Sequence, residues 1–120
     1  MQRFPRRWDK KTCIDFLQRK IIINSILYYE LDNPLMNDKE YDELSRQLVE
    51  LHKEVDIEST QYGYVMYDFD GSTGFDLYSR LNDKDKKYLL SMAHHLLSIA
   101  QHIGGIKQIE KPKKKKGALF

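Results

Sequence analysis

Tyr28, Tyr29, Asp38, Tyr41 and Asp42 are the residues of this chain best equipped to hold a ligand. Asp38, Tyr41 and Asp42 fall at i, i+3 and i+4, so a helix would set two carboxylates and an aromatic on one face. Tyr28 and Tyr29 lie on the near side of a short connection through Pro34, which brings them opposite that face. Two acids and several aromatic rings around one cleft suit a flat, positively charged ring, because the carboxylates and the aromatic quadrupole both attract it. The same residues also have a purely structural reading. Tyr41 opens an apolar stripe, and Asp38 and Asp42 sit where a helix N-terminus favours acids electrostatically.

Two helices must position these groups. Asn37 is placed to cap the second one, with Glu40 three residues on in the capping-box position. From about Asp38 to Glu54, Tyr41, Leu44, Leu48, Leu51 and Val55 alternate at spacings of three and four, which predicts an amphipathic helix. The first helix is expected from a cap at Thr12, with Asp15 in its first turn, to about Leu31. Its stripe of Ile14, Leu17, Ile21 and Tyr28, widened by Phe16, Ile23 and Leu27, is too broad for one partner and predicts contact with at least two other elements. The short connection makes the pair antiparallel.

In order and spacing, Tyr28-Tyr29, Asp32-Asn33-Pro34 and Asp38-Lys39-Glu40-Tyr41-Asp42 resemble the small N-terminal module, called Ia, of NAD-dependent DNA ligases. The resemblance covers about residues 12–53. It implies a module that binds the nicotinamide mononucleotide (NMN) half of NAD. Positions matching Tyr28 and Tyr41 would flank the pyridinium ring, those matching Asp38 and Asp42 would meet polar parts of the nucleotide, and that matching Tyr29 would lie beside it. NAD or NMN is the cofactor so implied, and no metal is expected. These 120 residues contain no Lys-x-Asp-Gly adenylation motif, hence no candidate lysine for an AMP adduct, and no nucleophile–base constellation at credible spacing. The chain is therefore expected to bind rather than to catalyse by itself. It would act as a free-standing module or as a detached ligase subunit serving an adenylation domain on another chain. The alternative is a small inhibitor or interaction protein, viral origin included, that uses the hairpin as a scaffold for a protein partner.

The second half changes character. Tyr62-Gly63-Tyr64-Val65-Met66-Tyr67 has the β-branched and aromatic content of a short extended segment near residues 62–67. Asp68, Asp70 and Asp76 follow as weak metal candidates. Asp68-Phe69-Asp70-Gly71 resembles the first motif of haloacid-dehalogenase-type phosphatases, but Ser72 intervenes before Thr73 and the chain is too short for their sheet. An EF-hand fails too, because Met66 and Leu77 stand where ligands are needed. A turn is favoured, with Gly71 and Gly74 supplying positive φ. Asn82 is expected to cap a last helix from about Asp83 to Ile103, with Leu89, Met92, Ala93, Leu96, Ala100 and Ile103 inward and Gly104-Gly105 ending it. His94, His95 and His102 read as solvated or edge-of-core histidines rather than zinc ligands.

The formal charge of +2 conceals a segregation: +5 over residues 1–20, −8 over 21–106 and +5 over 107–120. An acidic body disfavours nucleic-acid binding except weakly through the basic arms. No apolar run reaches the length of a membrane span, and the single cysteine, Cys13, allows no internal disulfide. A cytoplasmic protein with no membrane contact is expected. The organisation expected is a mainly α fold: a basic arm over 1–11, one helical domain over 12–105 and a basic disordered tail over 106–120. Within the domain, a ligase-like hairpin (about 12–31 and 38–54) packs on a C-terminal helix (about 83–103).

Overall fold

In a computed structural model that describes residues 2–103, α1 (Lys10–Ser25) is the element on which the others pack. Helices α2 (Asp38–His52), α4 (Leu77–Arg80) and α5 (Asp83–Ile103) all rest against it. From Ile21 to Ser25 every α1 residue is buried, so the wide face is met from several directions, as its breadth predicts. Removing one fully buried side chain such as Ile14, Leu17 or Ile22 from water contributes about 1.5–3 kcal/mol.

The helix starts earlier than the sequence implied. Asp9, not Thr12, is the cap, its Oδ1 accepting from the Thr12 N–H at 2.8 Å. An Asp three residues before Thr12 is placed to meet the Thr12 amide, so the helix starts three residues earlier than a cap at Thr12 would set it. At its other end α1 widens into a π-turn, Ile26–Glu30, in which the Leu31 N–H reaches back five residues to the Ile26 carbonyl at 3.0 Å. The turn is closed by the Asn33 N–H bonding to the Leu27 carbonyl at 2.8 Å, with Asp32 in the left-handed region at φ 53°. Asp tolerates that conformation better than most side chains. Asn37 caps α2 as expected, accepting from the Glu40 N–H at 2.8 Å.

Residues 62–67 are not extended. Gly63–Met66 forms a single helical turn, α3, and the described residues contain no strand. Tyr62, Val65 and Met66 are buried while Tyr64 and Tyr67 are exposed, which is a helical spacing of three and four rather than alternation. Tertiary packing overrode the strand-like composition. Gly63 is required by space: a Cβ there would lie 1.9 Å from the Ile57 carbonyl oxygen in the 3-10 turn Ile57–Ser59. Tyr64 ties α3 to the start of α5. Its hydroxyl donates to Asp85 at 2.5 Å, and burial together with that bond pushes its pKa up to about 12.

Asn82 caps α5 through the Asp85 N–H at 2.8 Å. The inward stripe is Leu89, Ala93, Leu97 and Ala100, whereas Leu96 and Ile103, expected inside, are exposed. The two alanines set the side of closest approach, and Leu97 continues their row. The expected stop at Gly104-Gly105 and the basic tail over 106–120 lie outside the described residues. At the other end the arm folds back on the helical body. Phe4, Trp8 and Phe16 form an aromatic cluster with centroids 5.7–6.1 Å apart, and Gln2 exchanges two 3.0 Å hydrogen bonds with Gln47.

Candidate nucleotide site

The π-turn and the capped start of α2 bring the five candidate residues to one end of the hairpin. Tyr28 and Tyr29 meet edge to face, with centroids 4.8 Å apart, although consecutive residues of an α-helix diverge. The wider π-turn is the local feature that holds them there, and such turns recur at functional sites. Asp38 is close enough to Tyr28 that its charge, after burial, adds to the rise in the Tyr28 pKa. Asp42 is bound at 2.6 Å by Arg46 one turn along α2.

Tyr41 sits deeper than its companions, only 1% exposed. The Ser25 hydroxyl donates to the Ile21 carbonyl at 2.9 Å, so its lone pair is free to accept the Tyr41 phenol proton, also at 2.9 Å. Burial raises the Tyr41 pKa far above the ordinary phenol range, so this proton is held at any physiological pH.

A segment from outside the hairpin covers this end. A Cβ on Gly74 would stand 2.2 Å from the Tyr41 hydroxyl oxygen and 2.3 Å from Ser25 Oγ, so the bare glycine backbone rests on the hydroxyl pair. Phe75 packs edge to face on Tyr29 at 5.4 Å, and Thr73 Oγ1 lies 3.4 Å from the Tyr29 hydroxyl. Gly71, at φ 84°, turns the chain as the sequence predicts. Gly74 is needed for close approach and not for positive φ, which corrects the expectation. With Tyr28 and Tyr41 both buried, neither offers an open ring face to a nicotinamide in this conformation. The grooves walled by Phe4 and Trp8, by Met36 and Leu44, by Asp68 and Arg80, and by Tyr64 and Tyr67 have none of the five on their walls.

The acids of the covering segment serve the fold. Asp68 and Asp76 converge on Arg80 at 2.5 and 2.9 Å, and Asp70 accepts from the Ser72 N–H and hydroxyl. Arg80 and the Ser72 bonds respectively hold the Asp68 and Asp70 carboxyls below the usual carboxylate range. A guanidinium thus stands where a cation would be needed. Among the described residues, no group of three or more His, Cys, Asp or Glu side chains is placed to hold a metal ion. His94, His95 and His102 are exposed along α5.

A polar cluster that sequence reasoning missed joins the hairpin to the rest of the chain. Gln18, fully buried on α1, accepts the Tyr62 N–H at 3.0 Å and donates to Thr60 Oγ1 at 2.8 Å, with His52 Nε2 at 3.1 Å. Its one signal in the sequence is a Gln one residue after Leu17 in the middle of an otherwise apolar stripe.

Residues 9–63 match the family described as DNA ligase-like, N-terminal NAD+-binding domain. The hairpin is a ligase Ia-like module. A DNA ligase of Endomicrobium trichonymphae is 44% identical over 41 residues, which is 34% of this chain and 6% of the ligase. The chain thus spans a small fraction of that relative's length. No solved structure matches. The matched stretch contains all five candidate residues and ends at Gly63, so the covering segment and α5 lie beyond it. Among the described residues no helix is long and apolar enough to cross a membrane.

Proposed function

We propose that the ligase-like module binds the nicotinamide mononucleotide part of NAD and supplies positioning rather than bond chemistry. The observation that carries this reading is the set of two aromatics on a π-turn facing Asp38, Tyr41 and Asp42 at the N-terminus of α2, within the stretch that matches a NAD+-binding family. Tyr28 would take the ring, while Asp38 and Asp42, both partly exposed, would offer acceptors to the ribose and amide. Orienting a leaving group in this way accelerates a reaction whose reactive groups stand on another chain, through lost translational and rotational freedom. An adenylation domain is the partner that this chemistry calls for. Calorimetric titration with NMN and with NAD tests the reading. Asp38→Asn and Asp42→Asn should each weaken NMN by about tenfold, the loss of one charge-assisted contact. Affinity unchanged in both variants would refute it.

A second reading, a scaffold for a protein partner, is favoured by one observation. Tyr88, Leu96, Ile99 and Ile103 on α5 are all exposed, a row of apolar side chains spaced by helical turns. It predicts that Leu96→Asp and Ile99→Asp leave NMN binding unchanged.

A further inference from the structure

We propose that the segment from Asp70 to Asp76 is a built-in plug of the ligase-like cleft, which a nicotinamide nucleotide must displace to reach Tyr28 and Tyr41. This inference rests on the nucleotide reading above. The segment lies beyond the stretch that matches the ligase family, yet it closes on residues inside that stretch. Gly74 is the contact point, and its lack of a side chain is what lets the backbone reach the Tyr41–Ser25 hydroxyl pair.

The plug is held unevenly. Beneath it, Tyr41 and Ser25 are buried and joined by a 2.9 Å bond. Above it, Phe75 is 40% exposed while touching Tyr29, and the Thr73 to Tyr29 contact is long at 3.4 Å. Its two ends are clasped by ion pairs from Arg80 to Asp68 and Asp76, whose carboxylates are about half exposed. Exposed ion pairs and a marginal hydrogen bond resist opening only weakly. The left-handed turn at Gly71 gives the segment a place to pivot. A cover of this kind lowers the apparent affinity of the site by the fraction of time it is open.

Two full-chain variants test the plug, with NMN as the probe. Gly74→Ala drives a Cβ into the hydroxyl pair and should lift the segment. The double variant Thr73→Ala, Phe75→Ala removes its grip on Tyr29 without a clash, and serves if Gly74→Ala fails to fold. Both should bind NMN about tenfold more tightly than the natural chain. Hydrogen exchange should quicken at the amides of residues 71–76 while α1 and α2 keep their protection. Faster exchange with unchanged or weaker NMN affinity would overturn the plug and leave the nucleotide reading standing, since the segment would then be a wall or a bystander. No NMN binding by any of the three proteins, with the segment demonstrably open, would overturn the nucleotide reading and the plug with it.

Discussion

Gln18→Ala separates the ligase-like hairpin from the part of the chain that follows it. Gln18 is 0% exposed, and it alone satisfies the buried Tyr62 N–H, at 3.0 Å, while facing Thr60 Oγ1 and His52 Nε2 at 2.8 and 3.1 Å. Thr60 keeps its own bond to the Ile57 carbonyl. Two buried groups, the Tyr62 amide and the His52 ring nitrogen, are therefore left without a partner, at about 1–3 kcal/mol each. The space vacated on a fully buried face adds to that cost, which brings the loss to about 3–5 kcal/mol. A domain of this size has about 5–15 kcal/mol in all, so the variant is folded but marginal. Urea unfolding followed by helical circular dichroism gives the difference. Gln18→Met, of the same length, isolates the hydrogen bonds from the cavity and should still lose about 2–4 kcal/mol. Hydrogen exchange should quicken first around Thr60 and Tyr62. A Met variant within about 0.5 kcal/mol of the natural chain would refute the account, because that is the range of a surface substitution with no buried partner.

Three further outcomes are expected. His52 is 5% exposed, and burial lowers its pKa below the ordinary 6.5, so the unfolded chain binds its proton more readily. Its contribution is whole above that ordinary value and is lost as pH falls through it towards the depressed folded pKa; His52→Gln should flatten the fall in urea midpoint between about pH 7.5 and about pH 5. Gly63→Ala sets a Cβ 1.9 Å from a backbone carbonyl that cannot move aside like a side chain, and a thermal-melt analysis should show a loss of about 2–4 kcal/mol. Tyr41→Phe deletes only the phenol oxygen bound to Ser25 and should cost about 1 kcal/mol by urea unfolding, with the helical spectrum unchanged.

The hairpin was legible because its signals are local. Asn37 and Glu40 stand three apart, Tyr41, Leu44 and Leu48 keep a helical period, and both survive unchanged in the structure. The π-turn had no such mark, since Ile26, Leu27, Tyr28 and Tyr29 would read the same in an α-helix. Tyr62 to Tyr67 carries a strand-like composition on a helical spacing, with Tyr62, Val65 and Met66 inward, and the spacing is what the fold follows. On α5 the apolar residues surround the helix too evenly for periodicity to choose between Leu96 and Leu97, and only the fit against α1 decides. Gln18, His52 and Thr60 are far apart in the chain, so no local pattern could join them.

The covered end of the hairpin sets a segment from beyond the ligase-like stretch directly on two of the five candidate residues. Every aromatic and acid of the ligase-like pattern is present, yet Tyr41 has turned its hydroxyl to Ser25 and lies under Gly74. On the plug reading, a ligand would compete with residues 70–76 for this end of the hairpin, against contacts as modest as Thr73 to Tyr29 and as screened as Asp68 to Arg80. Two observations bear on the balance from opposite sides. Arg80 gathers Asp68, Asp76 and the Val65 carbonyl, the last at 3.0 Å, so three modest contacts on one guanidinium open together rather than one at a time. The tip, by contrast, meets the hairpin through Thr73 and Phe75 on Tyr29 and through the Gly74 backbone on the Tyr41–Ser25 pair, with no ion pair of its own among the contacts described. Opening by the tip, pivoting at Gly71, exposes Tyr29 before Tyr41. A ligand entering by that route would meet the more exposed ring first and the buried one last, and Tyr29→Ala should weaken the plug as well as the site it covers, seen as faster hydrogen exchange at residues 71–76 with weaker NMN binding.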